Sequence, residues 1–390
     1  MKKLVTLCTL VMVFAACKKG AQGPNPEIIS FSPEKGAPGI QIDIHGKNFD
    51  SAAGHISISF NGGTATPYYA NDTEMRVVVP NGATTGKISV TISTRTGTST
   101  DNFTLLTSGS WSQKAALPDP NPPNGRGLGI GFAVNNKGYM GFGTNNGVDY
   151  GDIYEYDPAA NSWTQKTSLG IGIEGAVCLV LNNKAYVGIS ESRQLAVDTK
   201  QFWEYDPSTD TWTRKADFPG ETTTEPLGLA IGNKGYVGFG TVTNSKSWWQ
   251  YDPSADTWSQ KADFPGAQAL GFATGFVLND KGYICGQTVV TTEKTECWEY
   301  DPSVDKWTQK SDYPGMPFIL ATGLAIGTKG YIMGGGQECW EYEPTTDAWT
   351  QKVFFGQRIG GAAFAIGNNG YFGTGSTGNG YTSDFRQFTP

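Results

Sequence analysis

Histidine is almost absent from this sequence. Only two of the 390 residues are histidines, His45 and His55, and both lie before residue 110. Histidine is the usual base of a Ser-His-Asp triad and the commonest side chain that binds a transition metal. The chain after residue 110 therefore cannot use either chemistry through histidine, which argues against a histidine-dependent enzyme.

Positive charge is also scarce, and cysteine spacing excludes a common class of metal site. The chain has 29 Lys and Arg against 36 Asp and Glu, a net charge of -7. Nucleic-acid-binding proteins usually carry a basic surface, so nucleic acid is a poor candidate partner. Beyond residue 17 the cysteines are Cys178, Cys285, Cys297 and Cys339, and no pair has the CxxC spacing of a metal site. We expect neither a metal ion nor a cofactor.

The first residues have the features of an export signal. A pair of lysines precedes an apolar run that ends at Phe14 and is too short to span a membrane. Phe14-Ala15-Ala16-Cys17 resembles a bacterial lipobox. This predicts a lipoprotein signal peptide at 1–16 and a tether at 17–26 that begins at a lipidated Cys17. An ordinary secretory signal with a chance cysteine is the alternative.

The residues after Cys17 bear on the location of the protein. Lys18 and Lys19 follow, without an aspartate that would favour retention in the inner membrane. We therefore expect a lipid-anchored protein of the cell outer membrane, attached to the membrane only through its N-terminal lipid. The side of the membrane that it faces stays open.

Residues 27–107 alternate between apolar and polar positions in short runs separated by turn residues. This pattern is typical of a β-sandwich. Phe31-Ser32-Pro33, Ile44-His45-Gly46-Lys47-Asn48-Phe49 and Val79-Pro80 resemble the IPT/TIG family of immunoglobulin-like domains. The resemblance implies a spacer or interaction module without catalytic activity.

A block that contains two aromatic residues recurs from Trp111 to the end of the chain. Its tryptophans are Trp111, Trp163, Trp212, Trp258, Trp307 and Trp349, and its tyrosines are Tyr139, Tyr186, Tyr236, Tyr283, Tyr331 and Tyr371. The steps lie between 40 and 52 residues, which is typical of propeller blades rather than helical arrays. Asp-Pro turns, glycines in the second strand and the large aromatics fit four strands per unit with a structural role.

The two ends of this region are incomplete units. Trp111 has only a final strand, and the last unit stops at Pro390 after three strands. Joining them makes one whole blade, closes the ring and predicts that Pro390 lies near Trp111. Over residues 109–390 the pattern resembles the kelch family, with Arg126-Gly127 and Arg358-Ile359-Gly360 matching its Arg-x-Gly element. We predict an all-β protein, a small immunoglobulin-like sandwich followed by a six-bladed kelch-type propeller.

Candidate binding residues lie in the loops before the first strand and between the second and third strands, which should share one face of the ring. They are Arg126, Glu174, Arg193, Glu225, Phe318 and Arg358. Such a mixture could hold a sugar or a peptide. Arg126 and Arg358 have the same register and could clamp a carboxylate together, or could pair with an acid such as Glu174 as part of the structure. No catalytic residue is assigned.

Cys285 and Cys297 flank a predicted hairpin and could face each other across two strands. An oxidising compartment would permit a disulfide bond between them. The alternative is a pair of buried thiols, because Met333 and Cys339 occupy the corresponding places one repeat later.

The resemblance to kelch proteins raises two enzyme hypotheses. Copper galactose oxidase needs histidine ligands, and the propeller region has none, so we reject it. The kelch-type N-acetylneuraminate epimerase keeps a sugar-modifying enzyme possible as an alternative. The preferred hypothesis is a monomeric, non-catalytic binding platform for a glycan or an envelope protein. A pure assembly scaffold is the third.

Overall fold

The computed structural model describes residues 23–118, 125–192, 197–221, 224–240, 245–288 and 291–390. The predicted signal peptide and Cys17 lie outside the described residues. The chain divides into two compact units, Met1–Leu105 and Leu106–Pro390. Among the described residues, no helix has the length and apolar character needed to cross a membrane.

The first unit is a β-sandwich. Its strands are β1 (Glu27–Ser32), β2 (Lys35–Gly36), β3 (Gln41–Lys47), β4 (Ile56–Phe60), β5 (Gly63–Ala65), β6 (Tyr69–Ala70), β7 (Glu74–Val78), β8 (Gly86–Ile92) and β9 (Arg95–Leu105), with a 3-10 helix at Ala53–His55. One sheet has the order β1-β3-β7-β6 and the other β2-β9-β8-β4-β5. Their inner faces pack around a core that includes Ile42, Ile58, Val77 and Phe103.

Strand β1 contains an exposed apolar residue. Strict alternation would place Ile29 on the same face as the buried Phe31, but Ile29 is 53% exposed. The register against β3 shifts between Ile28 and Ser30, and this bulge places Ile28 inside. A bulge inserts one residue into one strand, so the alternation of faces is interrupted there.

The second unit consists of short antiparallel sheets, each of which we call a blade. Its strands are β10 (Ser110–Gln113), β11 (Ile130–Val134), β12 (Lys137–Gly141), β13 (Thr144–Asn145), β14 (Val148–Asp149), β15 (Ile153–Asp157), β16 (Ser162–Gln165), β17 (Val177–Leu181), β18 (Lys184–Ser192), β19 (Val197–Asp206), β20 (Thr211–Lys215), β21 (Leu227–Ile231), β22 (Lys234–Gly238), β23 (Trp248–Asp252), β24 (Thr257–Gln260), β25 (Leu270–Leu278), β26 (Lys281–Thr288), β27 (Thr291–Asp301), β28 (Lys306–Tyr313), β29 (Ala321–Ile326), β30 (Lys329–Gly334), β31 (Cys339–Glu343), β32 (Ala348–Lys352), β33 (Ala362–Ile366), β34 (Asn369–Gly373) and β35 (Phe385–Thr389).

The described residues of this unit contain six four-stranded blades. In order, blades 1 to 5 are β11-β12-β15-β16, β17 to β20, β21 to β24, β25 to β28 and β29 to β32. Blade 6 combines β33, β34 and β35 with β10 from the other end of the unit, and β13 and β14 pair separately. The inner strands β11, β17, β21, β25, β29 and β33 each contact the inner strands of two neighbouring blades and so close a ring. The prediction of an all-β sandwich and propeller is confirmed.

The N- and C-terminal strands close the ring as predicted. Strand β10 pairs antiparallel with β35, so Ser110 lies opposite Thr389 and Trp111 opposite Phe388. The Trp111 ring also packs against Phe354 and Phe355, which follow blade 5. This pairing satisfies the edge strand of blade 6 with a segment from the start of the unit.

Glycine in the second strand allows neighbouring blades to approach closely. A Cβ atom on Gly138 would lie 2.1 Å from the Phe364 ring of blade 6, and one on Gly330 would lie 2.0 Å from the Phe276 ring of blade 4. Both distances are far below van der Waals contact. The aromatic ring of one blade therefore occupies the volume where the next blade has no side chain.

A repeated pair of hydrogen bonds connects each blade to the next. The indole N–H of the outer-strand tryptophan donates to one carbonyl in, or just after, the last strand of the preceding blade, over 2.7 to 3.1 Å. The pairs are Trp111–Val353, Trp163–Ala115, Trp212–Thr167, Trp258–Ala216, Trp307–Ala262 and Trp349–Ser311. In blades 1 to 5 the amide of that same residue donates over 3.0 Å to a turn side chain. These acceptors are Asn161, Asp210, Asp256, Asp305 and Asp347.

The same turn side chains also accept a hydrogen bond from a tyrosine of their own blade. Asp256, for example, accepts the Tyr251 hydroxyl at 2.6 Å. Asp256 has a left-handed backbone, with φ of 53°, which aspartate and asparagine tolerate better than most residues. We call this arrangement of indole, turn carboxylate and backbone residue the blade clamp.

Cys285 and Cys297 are directly opposite each other in β26 and β27 and form a disulfide bond. Both residues are buried. Of the two alternatives that the sequence left open, the structure thus has the bonded pair. Cys178 and Cys339 are not in a disulfide.

The blade clamp predicts how substitutions of Asp256 affect stability. Asp256→Ala removes the acceptor for both Tyr251 and the Ala216 amide. Two hydrogen bonds to a charged group contribute about 3–6 kcal/mol, and because the Asp256 side chain is 40% exposed we expect the free energy of unfolding to fall by roughly 2–4 kcal/mol. Asp256→Asn should cost less than half as much, because Asn161 fills the same position in blade 1. Urea unfolding at an unchanged m-value tests this. Equal losses for the two variants would contradict the clamp.

Candidate functional site

The inner strands surround a cavity of about 230 Å³ on the axis of the ring. Glycine and alanine form most of its lining, so backbone groups rather than long side chains face the space. These small residues include Gly129, Gly131, Ala176, Gly228, Ala273, Gly275, Ala321, Gly323, Gly361, Ala362 and Ala363. Glu225 is the only carboxylate in the lining that the described residues provide.

One residue from each blade forms a ring at the mouth of this cavity. It lies just before the inner strand in five blades and near the start of β25 in blade 4. All six have left-handed φ angles between 48° and 64°. They are Leu128, Gly175, Glu225, Phe272, Leu320 and Gly360, which we call the mouth ring. A leucine, glutamate or phenylalanine rarely adopts this conformation, and such strained positions concentrate at functional sites.

Backbone hydrogen bonds hold neighbouring members of the mouth ring together. The Leu128 amide donates to the Gly360 carbonyl at 2.8 Å, and the Gly175 amide donates to the Leu128 carbonyl at 2.9 Å. The Gly360 amide donates to the Leu320 carbonyl at 3.1 Å. These bonds fix the backbones of four members of the ring, Leu320, Gly360, Leu128 and Gly175, relative to one another.

Glu225 is the member of the mouth ring that carries charge. Burial and, to a smaller extent, the nearby carboxylates Glu191 and Glu174 together raise the pKa of its carboxyl to about 7. A carboxyl with this pKa is present in both protonation states near neutral pH. It can donate a hydrogen bond as well as accept one.

Glu174 and Glu191 lie beside Glu225 on the edge of blade 2. Their backbones exchange a pair of hydrogen bonds, at 3.1 and 3.2 Å, and the Glu174 side chain is buried. Of the candidate residues from the sequence, the structure thus brings Glu174 and Glu225 together. Within the described residues, no group of His, Cys, Asp and Glu side chains converges in a way that could hold a metal ion.

Arg126 and Arg358 do not form a shared carboxylate clamp. Arg126 is fully buried and binds Asp152 with both terminal nitrogens, at 2.5 and 3.1 Å. Arg358 binds Asp384 at 2.5 Å and is 8% exposed. Each guanidinium also stacks on a ring, that of Tyr150 for Arg126 and that of Phe355 for Arg358.

The two arginines therefore have structural partners inside their own blades. The expected acid Glu174 is not one of the partners shown for them; the acids are Asp152 and Asp384, each 26 residues after its arginine. That equal spacing was visible in the sequence and could have identified the pairs. The joint-clamp hypothesis is wrong because each arginine is already paired and buried.

Of the remaining two candidate residues, the structure describes Phe318 only. Phe318 is 2% exposed and packs edge-on against Tyr313 at 5.2 Å, so it belongs to the core and not to a ligand-binding surface. It has the register of Arg126, whose side chain also points inward. Arg193 lies outside the described residues.

The ion pair between Arg126 and Asp152 in blade 1 predicts how substitutions there affect stability. Arg126→Ala leaves the Asp152 carboxylate, 13% exposed, without its partner, and breaking a buried pair in this way costs roughly 3–5 kcal/mol. The double variant Arg126→Leu with Asp152→Ala should lose less, because no unpaired charge remains. Chemical denaturation of both variants measures the difference. A double variant less stable than Arg126→Ala would contradict the assignment.

A second prediction concerns pH. The Glu225 pKa is raised in the folded state from its ordinary value of 4.5 to about 7, so the folded protein holds this proton more tightly. Stability contributed by Glu225 is present at low pH and is lost as pH rises through about 7. Glu225→Gln should therefore match the parent near pH 4 and exceed it by about 1–2 kcal/mol at pH 8, after allowance for solvent screening. A pH-independent difference would contradict this.

Comparison with known proteins supports the two-part architecture. Residues 26–106 match the model of the IPT/TIG domain family. No curated protein matches the chain. A solved structure described as "Structure of YjhT" is similar over 70% of this chain and 95% of that chain, with 15% identity and a TM-score of 0.57. At this identity the likeness concerns the fold alone, whereas residues 26–106 form an IPT/TIG domain.

Proposed function

We propose that this protein is a lipid-anchored envelope protein whose propeller binds a glycan without catalysing a reaction. The ligand contacts the mouth ring, and Glu225 is the residue that contacts its hydroxyl groups. The observation that carries this proposal is the Glu225 carboxyl, which lines an open cavity and has a pKa of about 7. Sugar hydroxyls need partners that both donate and accept hydrogen bonds.

The envelope location follows from the N-terminal sequence. The apolar run and the lipobox-like residues before Cys17 support export and lipidation, and the absence of an aspartate after Cys17 favours the outer membrane. The disulfide between Cys285 and Cys297 is consistent with an oxidising compartment. In this proposal the IPT/TIG domain acts as a spacer between the lipid and the propeller.

A sugar-modifying enzyme is the second candidate, and one observation favours it. A carboxyl whose pKa lies near neutral pH is suited to act as a general acid or base. The resemblance to the kelch-type N-acetylneuraminate epimerase points to the same class of ligand. The two candidates differ in outcome, because an enzyme releases a changed sugar and a binding protein does not.

Proton NMR of the mature chain from Lys18, mixed with neutral and acidic oligosaccharides, tests the proposal. We expect saturation transfer to one or more sugars and no new anomer or product peaks over a day. Glu225→Leu should weaken binding about tenfold, through loss of a hydrogen bond that contributes about 1.5 kcal/mol. Leucine suits this backbone, since Leu128 and Leu320 have the same φ in blades 1 and 5.

The control is Glu34→Leu, the same change at an exposed position of the first unit, which should leave binding unchanged. Product peaks that Glu225→Leu abolishes would make the protein an enzyme. A complete lack of saturation transfer would reject the glycan hypothesis and favour a protein partner or a scaffold. Equal binding by the parent and Glu225→Leu would place the ligand elsewhere on the propeller.

A further inference from the structure

A second cavity lies between blades 2 and 3, on the face where their variable loops meet. Its volume is about 330 Å³, and we call it the rim pocket. Its lining includes Lys200 of β19, Gly220 and Glu221, which follow blade 2, and Ser245, Ser247 and Trp249. The two serines precede β23, and Trp249 lies within it. It is separate from the axial cavity and shares no lining residue with it.

The repeat shows what fills the corresponding place in other blades. Two residues before the tryptophan of the third strand, blades 2, 4 and 5 have an amide or a carboxylate that accepts the indole N–H. The pairs are Trp203 to Gln201 at 3.4 Å, Trp298 to Glu296 at 3.1 Å and Trp340 to Glu338 at 3.2 Å. The third strand thus normally supplies its own acceptor.

Blade 5 shows the geometry in full. One oxygen of Glu338 accepts both the Trp340 indole N–H and the backbone amide of Met316, the latter at 3.0 Å. Met316 follows the Pro-Gly turn after blade 4, and the carboxylate lies against Gly315, where a Cβ atom would come within 2.3 Å of it. A carboxylate is therefore the group that this site between two blades accommodates.

Blade 3 has the same tryptophan but lacks the acceptor. Ser247 stands where blade 5 has Glu338, and a serine side chain is too short to reach the indole. The Trp249 Nε1 atom is buried and has no hydrogen-bond partner. Gly220 and Glu221 occupy the places of Gly315 and Met316, so the turn that would present the second donor is kept.

We propose that the rim pocket binds the carboxylate of an acidic sugar residue. The carboxylate takes the place that Glu338 occupies in blade 5 and accepts the Trp249 indole N–H and the Glu221 amide. The sugar class rests on the proposed glycan-binding function, whereas the carboxylate is inferred from the pocket itself.

Two further features of the pocket fit this ligand. Lys200 lies in the lining, and the described residues give it no ion pair, so its ammonium is available to compensate the charge of a bound anion. The hydroxyls of Ser245 and Ser247 are 2.9 Å apart and retain capacity to bond sugar hydroxyls. The Glu221 carboxylate is exposed at the lip and opposes an anion. A substitution that removes the Glu221 charge should therefore change binding in the opposite direction to one that removes the Lys200 charge.

Titration calorimetry and saturation-transfer NMR with glucuronate and glucose test the proposal on the mature chain. The two sugars differ by the carboxylate, so the parent should bind glucuronate at least tenfold more tightly. Trp249→Phe, which removes the N–H but keeps an aromatic ring, should weaken glucuronate binding at least fivefold. Trp298→Phe is the matched control, because Glu296 already satisfies its indole, and should leave binding unchanged.

Ser247→Glu is the sharpest variant. It restores the carboxylate that blade 5 carries, so it should abolish glucuronate binding and raise the thermal unfolding midpoint, by roughly 2 °C or more. Glu221→Gln should tighten binding about twofold or more, because it removes the opposing charge near the ligand. Lys200→Met should weaken it.

Several outcomes would overturn the proposal. These are equal effects of Trp249→Phe and Trp298→Phe, retained binding in Ser247→Glu, and no preference for glucuronate over glucose. If acetate or a peptide with a free C-terminus competes as well as glucuronate, the sugar assignment fails. Loss of glucuronate binding in Glu225→Leu but not in Trp249→Phe would reject the rim pocket and keep the proposed function of the mouth ring.

Discussion

The propeller depends on the hydrogen bonds that hold one backbone residue between successive blades. Apolar packing between two sheets is not directional, so it brings the blades together without fixing their relative rotation. The blade clamp adds the direction. At Ala216, the carbonyl accepts from the Trp258 indole and the amide donates to Asp256, so both polar groups of one residue are fixed by the next blade.

The clamp also explains why the loops of the opposite set can vary. Tyrosine, turn side chain and indole come from one stretch of eight residues, Tyr251 to Trp258 in blade 3. The contact between blades is therefore encoded locally and repeats with the sequence. The loops before the inner strands carry a separate, backbone-to-backbone connection through the mouth ring. Because that connection uses backbone atoms only, the side chains at positions such as Leu128 and Leu320 are free to differ in chemistry.

Sequence patterns predicted the parts of this structure that depend on local spacing. The aromatic period, the Asp-Pro turns and the paired ends of the chain predicted the blades and their closure, because these residues form the core. Arg126 was harder, since its partner Asp152 lies 26 residues further along the chain, just before β15, and only the fold brings the two together. Phe318 occupies the position that corresponds to Arg126, and its side chain also points inward. The sequence suggested a contact with a ligand, but the Phe318 side chain is buried.

The remaining differences between the blades identify where function can be sought. In a repeat protein each blade serves as a control for the others, since a residue that the fold requires recurs at its position. A residue that differs from the repeat without consequence would leave the neighbouring polar groups with their hydrogen-bond partners. Ser247 instead leaves the Trp249 N–H buried without a partner, which costs free energy in the unliganded protein. A ligand that supplies the missing acceptor recovers that free energy on binding, so the departure itself favours association.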